Sequence, residues 1–169
     1  YSQISKLGRL VCSALEAHLK LPFGAMTNQI SKPISQLRLL HYVRQKNTAD
    51  HQSVNMGAHT DYECLTLLHT RNKGLQVITK QDNWIDLPVD PNVFVVNVGD
   101  MLEAWSNGIL RSTPHRILNH SPERYSLPYF LPYLLPYFVG AFKKQILETV
   151  HADSSFKGLH SNLSFARAG

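Results

Sequence analysis

Cysteine is scarce. Cys12 and Cys64 are the only two in 169 residues, and neither sits in a Cys-x-x-Cys pair. A disulfide framework is excluded, and a reduced, cytoplasmic setting is expected. Long apolar runs are missing too. The longest, Leu127 to Ala141, is broken by Pro128, Pro132 and Pro136, so nothing approaches the roughly 20 residues of a membrane span. Charge is thin at 17%, with a net +5 and a pI near 9.3. The basic residues are scattered, and the densest run, Lys143-Lys144, is too short for a nucleic-acid patch. Neither a nucleic acid nor a membrane is expected as a partner. A mildly basic surface suits small acidic molecules. No charged-then-apolar leader precedes the first apolar pattern, and the chain opens on Tyr1 rather than Met, as expected of a piece of a longer protein.

What is present suits a folded core. Hydrophobic residues make up 43%, enough to exclude wholesale disorder, and residues 1–169 suit one domain. Residues 2–20 predict an amphipathic helix, with Ile4, Leu7, Leu10, Val11, Ala14, Leu15 and Leu19 in one stripe and Ser2 as a cap. Residues 24–35 read as loop, 36–43 as a strand with Arg38, Leu40 and Tyr42 on one face, and 44–56 as a polar loop holding His51. Strands follow at 63–69, 75–79, 84–87, 93–98, 110–118 and 125–131, with a helical turn at 101–105. The continuous apolar run Val93 to Val98 predicts a strand buried on both sides. A short C-terminal helix is expected over 141–151, then a fraying tail. Many short strands joined by turns argue for a mainly β sandwich or barrel.

One constellation carries chemistry. His59 and Asp61 are two residues apart, so at a strand end their side chains point the same way. His115 must return to the same place, which a barrel allows if its strand lies opposite the first. Two neutral imidazoles and one carboxylate on one face of a metal leave adjacent positions open, the requirement of a non-haem Fe(II) site. Blander readings stand beside this one. His-x-Asp is common by chance, His115-Arg116 can be a surface strand pair, Arg124 a solvated turn residue and Ser126 a strand hydroxyl. His69 would find a backbone acceptor, Asn97 and Asp100 would fix the Gly99 turn, and Trp84 and Trp105 would pack.

The wider set of motifs is more specific. Gly57-Ala58-His59-Thr60-Asp61, Gly74-Leu75-Gln76-Val77, Asn97-Val98-Gly99-Asp100, Ser106-Asn107-Gly108, Ser112-Thr113-Pro114-His115-Arg116 and Arg124-Tyr125-Ser126-Leu127-Pro128 occur in this order. In these motifs the chain resembles the 2-oxoglutarate and Fe(II)-dependent dioxygenases, specifically the isopenicillin N synthase-like group, most strongly over residues 36–131. The resemblance implies a double-stranded β-helix, or jelly roll, with a packed N-terminal helix. It implies His59, Asp61 and His115 as iron ligands. It also implies Arg124 and Ser126 on the distal carboxylate of 2-oxoglutarate and Tyr42 near its other end. Leu40-His41-Tyr42-Val43 stands where the family often has Asn-Tyr-Tyr-Pro, and the family's N-terminal region is largely absent.

The implied function is an oxidoreductase. With Fe(II), 2-oxoglutarate and O2 it would hydroxylate, desaturate or close a ring in a small organic substrate, releasing succinate and CO2. A rival of a different class is a truncated, catalytically inactive dioxygenase-like domain that binds metal or a partner. Tyr129 to Phe138, with its Leu-Pro-Tyr units, would then serve as a dimer or partner contact. A further alternative is a relative that shares the Arg-x-Ser pair but uses no 2-oxoglutarate.

Overall fold

The computed structural model describes residues 1–30, 35–43, 54–118 and 120–131. It opens with helix α1 (Ser2–His18) and a 3-10 turn (Thr27–Ile30). Seven strands follow: β1 (Gln36–Leu37), β2 (Leu40–Val43), β3 (Val54–His59), β4 (Leu65–Thr70), β5 (Leu75–Ile78), β6 (Trp84–Asp86) and β7 (Val95–Val98). The short helix α2 (Asp100–Trp105) leads to β8 (His115–Leu118) and β9 (Glu123–Phe130). The strands form two antiparallel sheets. One runs β1-β9-β4-β7, with β2 also on β9; the other runs β3-β8-β5-β6.

Two apolar clusters place these layers. Cys12 and Leu19, from α1 and its end, pack with Leu65, Leu67, Trp105, Tyr129 and Leu131, so α1 covers the outer face of the first sheet. Each Leu buried there stabilises the fold by about 1.5–3 kcal/mol. Leu68 of the first sheet meets Leu75 and Ile117 of the second, closing the space between the sheets at one end. Burial holds the Cys12 thiol up at about 12, with Glu16 adding to the effect and Arg9 opposing it. Burial likewise pushes Cys64 far up, so both thiols stay protonated packing groups.

The helix stripe is rotated from the expected one. Leu10 is 68% exposed and Ala14 is exposed, whereas Gly8, Cys12 and Glu16 are buried. Gly8 permits this because a Cβ there would press on the Leu131 side chain. Ser2 is not the cap: Tyr1 holds that position without a side-chain cap bond. Glu16 is buried for a stated reason. Its carboxylate accepts the backbone N–H groups of Gly24 at 3.2 Å and of Met26 and Thr27 at 2.6 Å. The segment read as plain loop is thereby folded into a turn on the helix. Glu16→Ala should destabilise the protein by about 3 kcal/mol, since buried donors would lose a charged acceptor. A chemical-denaturation midpoint checks this.

The strand expected over 36–43 is split into β1 and β2, although both keep one register on β9. The break faces Pro128. Arg38 donates its N–H to the Pro128 carbonyl at 3.0 Å, but Pro128 has no N–H to return. The β4 side of β9 stays paired through Leu68↔Pro128, so a proline does occupy an interior strand here.

The run Val93–Val98 is not buried on both sides. Only Val95–Val98 is strand, and Val93 and Val96 are 52% and 45% exposed. Among the described residues β7 is the last strand of its sheet. Strand β8 is shorter than expected and starts just after Pro114. Tyr129 and Leu131, at the start of the expected contact surface, are each only 1% exposed and belong to the core. The rest of that surface, the helix expected over 141–151, the tail and His51 lie outside the described residues.

Candidate metal centre

A cavity of about 500 Å3 lies between the two sheets. His59 and His115 line it from the second sheet, and Tyr42, Arg124 and Ser126 line it from the first. The two histidines are not on opposing strands. They are registered neighbours on the adjacent strands β3 and β8, with ring centroids 4.3 Å apart. Asp61 lies just past the end of β3 and is 8% exposed.

The protein fixes which atoms face one another. The His59 Nδ1–H donates to the Gly57 carbonyl at 2.8 Å, and the His115 Nδ1–H donates to the Thr113 carbonyl at 3.1 Å. A carbonyl only accepts, so each Nδ1 carries the proton and each Nε2 keeps its lone pair. The two Nε2 atoms lie 3.8 and 3.7 Å from Asp61 Oδ1. Ligands about 2.1 Å from one ion can stand up to about 4.2 Å apart, so one ion can bridge each of these pairs. Asp61 Oδ2 is occupied otherwise. It accepts the Thr66 hydroxyl at 2.5 Å and the Asn97 amide at 2.6 Å, which turns Oδ1 toward the imidazoles. Among the described residues, His59, Asp61 and His115 are the one group found with metal-ligand geometry.

Thr66 and Asn97 were not legible as site residues. Asn97 was expected only to fix the Gly99 turn, and Thr66 alternates with Leu65 and Leu67 like any strand residue. The signal was that alternation itself, since it sends Thr66 to the face opposite the helix core. The turn matters as well. A Cβ on Gly99 would overlap the Glu63 carbonyl and press on that of Asp61, so only glycine lets the turn lie against the Asp61 loop. The Asp100 N–H donates to the Asp61 carbonyl at 2.7 Å, and the Thr60 hydroxyl donates to Asp100 at 3.1 Å.

The second half of the cavity is an anion site by its chemistry. Arg124 is 2% exposed, and among the described residues none of its three guanidinium nitrogens has a hydrogen-bond partner. Burial lowers its pKa, and Tyr42 opposes that shift. Tyr42 pairs with Arg124 across β2 and β9, and the guanidinium carbon is 5.3 Å from the Tyr42 ring centre. Burial raises the Tyr42 phenol, against the Arg124 charge and a hydrogen bond with Ser126. Ser126 is 3% exposed, two residues along β9 on the same face as Arg124. Arg124 is thus no solvated turn residue. A buried charged fork without an acceptor is a strong demand for a carboxylate or phosphate. Glu63 also lines the cavity. Burial raises its pKa first, its own backbone N–H opposes this, Asp61 adds to it, and Tyr62 and Arg38 oppose it.

The model of one family, the 2OG-Fe(II) oxygenase superfamily, matches residues 34–132, more than half of the chain. The chain belongs to that superfamily. The chain is 32% identical over 130 residues to the 2-oxoglutarate-dependent dioxygenase tropC of Talaromyces stipitatus, covering 75% of this chain and 40% of that protein. It is 34% identical over 135 residues to the homoarginine-6-hydroxylase 2-ODD-233 of Oryza sativa subsp. japonica, covering 76% and 41%. Among solved structures, a 2OG-Fe(II) oxygenase family protein from Caulobacter crescentus superimposes with a TM-score of 0.66 at 36% identity, covering 78% of this chain and 44% of that one. The chain therefore spans about two-fifths of the length of these relatives.

The two sheets are the packed pair of the oxygenase double-stranded β-helix, with the N-terminal helix in place. Fe(II) and 2-oxoglutarate are the cofactors of the superfamily. The residues present fit both: a His-Asp-His set suits Fe(II), and the unpartnered Arg124 fork suits a carboxylate. Other sequence expectations resolve more simply. The His69 Nε2 lies 3.0 Å from the Pro91 carbonyl, Trp105 is core, and Trp84 lies under Arg116 with the guanidinium carbon 4.2 Å from its ring centre. Among the described residues no helix is long and apolar enough to cross a membrane.

The orienting donors make a prediction. In Thr66→Val or Asn97→Ala, Asp61 loses a fixed hydrogen bond, and Fe(II) affinity should fall by about 10–100-fold, the range of outer-shell partners. Equilibrium dialysis with Fe(II) under anaerobic conditions measures it.

Proposed function

We propose that this chain, as one dioxygenase-like domain over residues 1–169, carries the reaction centre of an Fe(II)- and 2-oxoglutarate-dependent oxidoreductase acting on a small organic substrate. The observation that carries the reading is the buried Arg124, whose guanidinium has no hydrogen-bond partner among the described residues, lining the same cavity as the His59, Asp61 and His115 cluster. A metal cluster alone fits many roles. A metal cluster beside an anion fork fits a chelating carboxylate co-substrate.

In this reading His59 Nε2, His115 Nε2 and Asp61 Oδ1 hold the iron and leave its cavity side open. Arg124 pairs with the distal carboxylate of 2-oxoglutarate, and the Ser126 hydroxyl donates to the same group. The Tyr42 phenol, adjoining both, closes that end of the cavity. Leu68, Leu75 and Ile117 keep the floor dry, which strengthens each charged contact. Bound there, the cofactors would supply the oxidation: 2-oxoglutarate, O2 and a substrate C–H bond give succinate, CO2 and a C–OH bond. Hydroxylation, desaturation or ring closure depends on which C–H bond the walls present. The protein's part is binding, orientation and exclusion of water.

The test is anaerobic reconstitution with Fe(II), addition of 2-oxoglutarate and O2, and assay of succinate. Succinate that requires both Fe(II) and 2-oxoglutarate supports the reading. Tight binding of both without succinate assigns the chain a binding role instead.

A further inference from the structure

The first sheet presents an ordered row to the cavity. Tyr42 and Leu40 pair with Arg124 and Ser126, and Arg38 donates its backbone N–H to Pro128. These residues and Phe130 all line the cavity. Arg38 stands roughly 13 Å along an extended chain from Tyr42, so the row carries a cation at each end. The 2-oxoglutarate assigned to Arg124 and the metal leaves the second cation unused. Register keeps that cation near the metal cluster. Thr66, whose hydroxyl donates to Asp61, pairs with Phe130, and the Arg38 guanidinium lies over the Phe130 ring, 4.7 Å from its centre. Gln36 holds one edge of the guanidinium: Nε and Nη2 donate to its Oε1 at 3.1 and 2.9 Å. The end-on pair, Nη1 with the other Nη2 N–H, is a fork of the kind that takes a carboxylate. Glu63 lines the same cavity and feels the Arg38 charge, but it is 7% exposed and held within the wall by its own backbone N–H and Tyr62. Arg38 is exposed, on the outer edge of its sheet among the described residues. The second sheet leaves room there. Strand β3 shifts register between Met56 and His59, yet Gly57 has no left-handed φ, and a Cβ on it would meet nothing within 4 Å. Neither backbone strain nor packing calls for a glycine at this cavity-lining position, and an interior glycine of this kind marks close approach of a ligand.

We propose that Arg38 selects a primary substrate bearing a carboxylate and anchors that group at the open edge of the cavity, apart from the 2-oxoglutarate held at Arg124. The assignment rests on the oxygenase reading above. It makes Arg38 a specificity-determining residue. The guanidinium is already oriented by Gln36 and Phe130, so little ordering remains when the carboxylate docks. An alcohol of the same length gains nothing from the charge, and an ammonium is repelled, which gives discrimination by rejection as well as attraction. Because Phe130 and Thr66 link Arg38 to Asp61, the oxidised C–H bond lies a few bonds from the carboxylate.

The test uses three probes of one length: pentanoate, 1-pentanol and n-pentylammonium. Binding to the full chain with saturating Fe(II) and 2-oxoglutarate is read by anaerobic calorimetry, and succinate is assayed after O2 is admitted. The wild type should bind pentanoate at least about tenfold more tightly than pentanol, a difference of about 1.4 kcal/mol, and pentylammonium most weakly. Arg38→Met should bring the pentanoate-to-pentanol ratio close to one. Arg38→Lys keeps the charge without the fork and should retain part of it. Raising 2-oxoglutarate tenfold should leave pentanoate binding unchanged. Pentanoate binding that weakens as 2-oxoglutarate rises overturns the proposal, since the probe then sits at Arg124. So does a wild-type ratio near one, a ratio that survives in Arg38→Met, or a preference for pentylammonium. Anion selectivity without succinate would remove the oxygenase reading and leave the Arg38 site standing. Succinate without anion selectivity would do the reverse.

Discussion

Replacing Arg124 with Met should have two opposite effects at once. The requirement for 2-oxoglutarate should rise by about 30-fold to a few thousandfold. That is the cost of removing one partner from a buried charge pair, about 2–5 kcal/mol at tenfold per 1.4 kcal/mol. The ligand-free protein should meanwhile become more stable, by about 1–4 kcal/mol. A buried guanidinium whose three nitrogens have no hydrogen-bond partner among the described residues is a burden until an anion arrives, and Met fills a similar volume without a charge. The paired measurement is thermal melting with and without 2-oxoglutarate. In the wild type the ligand should raise the melting temperature by linkage. In Arg124→Met the ligand-free melting temperature should be higher and the ligand-induced rise absent. Arg124→Lys should fall between, since a point charge cannot reproduce the planar fork. A destabilised Arg124→Met protein with an intact response to 2-oxoglutarate would move the anion site elsewhere.

The other large effect is expected at His115. His115→Ala deletes one of the three ligand atoms and leaves Asp61 Oδ1 and His59 Nε2. Fe(II) affinity should fall by more than about a hundredfold, beyond what losing an outer-shell partner does. Succinate formation at micromolar iron should be lost with it. His69→Ala is the matched control. Its ring contacts the Pro91 carbonyl and Phe94, so it should bind iron as the wild type does. Equal iron retention by His115→Ala and the wild type would sink the ligand assignment.

These expectations draw on different depths of reading. The three candidate ligands were legible because His-x-Asp at a strand end and a later Pro-His-Arg are local patterns in the right order. Arg124 and Ser126 were legible for the same reason: two positions along a strand share a face. Thr66 and Asn97 were harder to see. Their role depends on where Asp61 Oδ2 points, and that orientation is set by two strands of the other sheet. Glu63 looked like one more residue at the start of a strand. Its burial beside the cavity arises from the bend that sends Cys64 to the helix side. The helix stripe was misplaced because periodicity finds an apolar face but not its exact rotation. Gly8 and the charged Glu16 took core positions that hydrophobicity alone assigns to Leu10 and Ala14.

The sequence by itself determined the class of the fold, the order of its strands and the residue types that can hold a metal and an anion. Those follow from local periodicity and from the chemistry of side chains a few residues apart. Only the tertiary structure decided that His59 and His115 are registered neighbours rather than facing residues, and that Asp61 is turned by Thr66 and Asn97. It also decided that Arg124 is buried with no hydrogen-bond partner among the described residues and that Glu63 shares its cavity. The reason is physical: burial and the pairing of charges depend on sheets brought together from distant parts of the chain, and no local pattern encodes which groups are left unpaired when they meet.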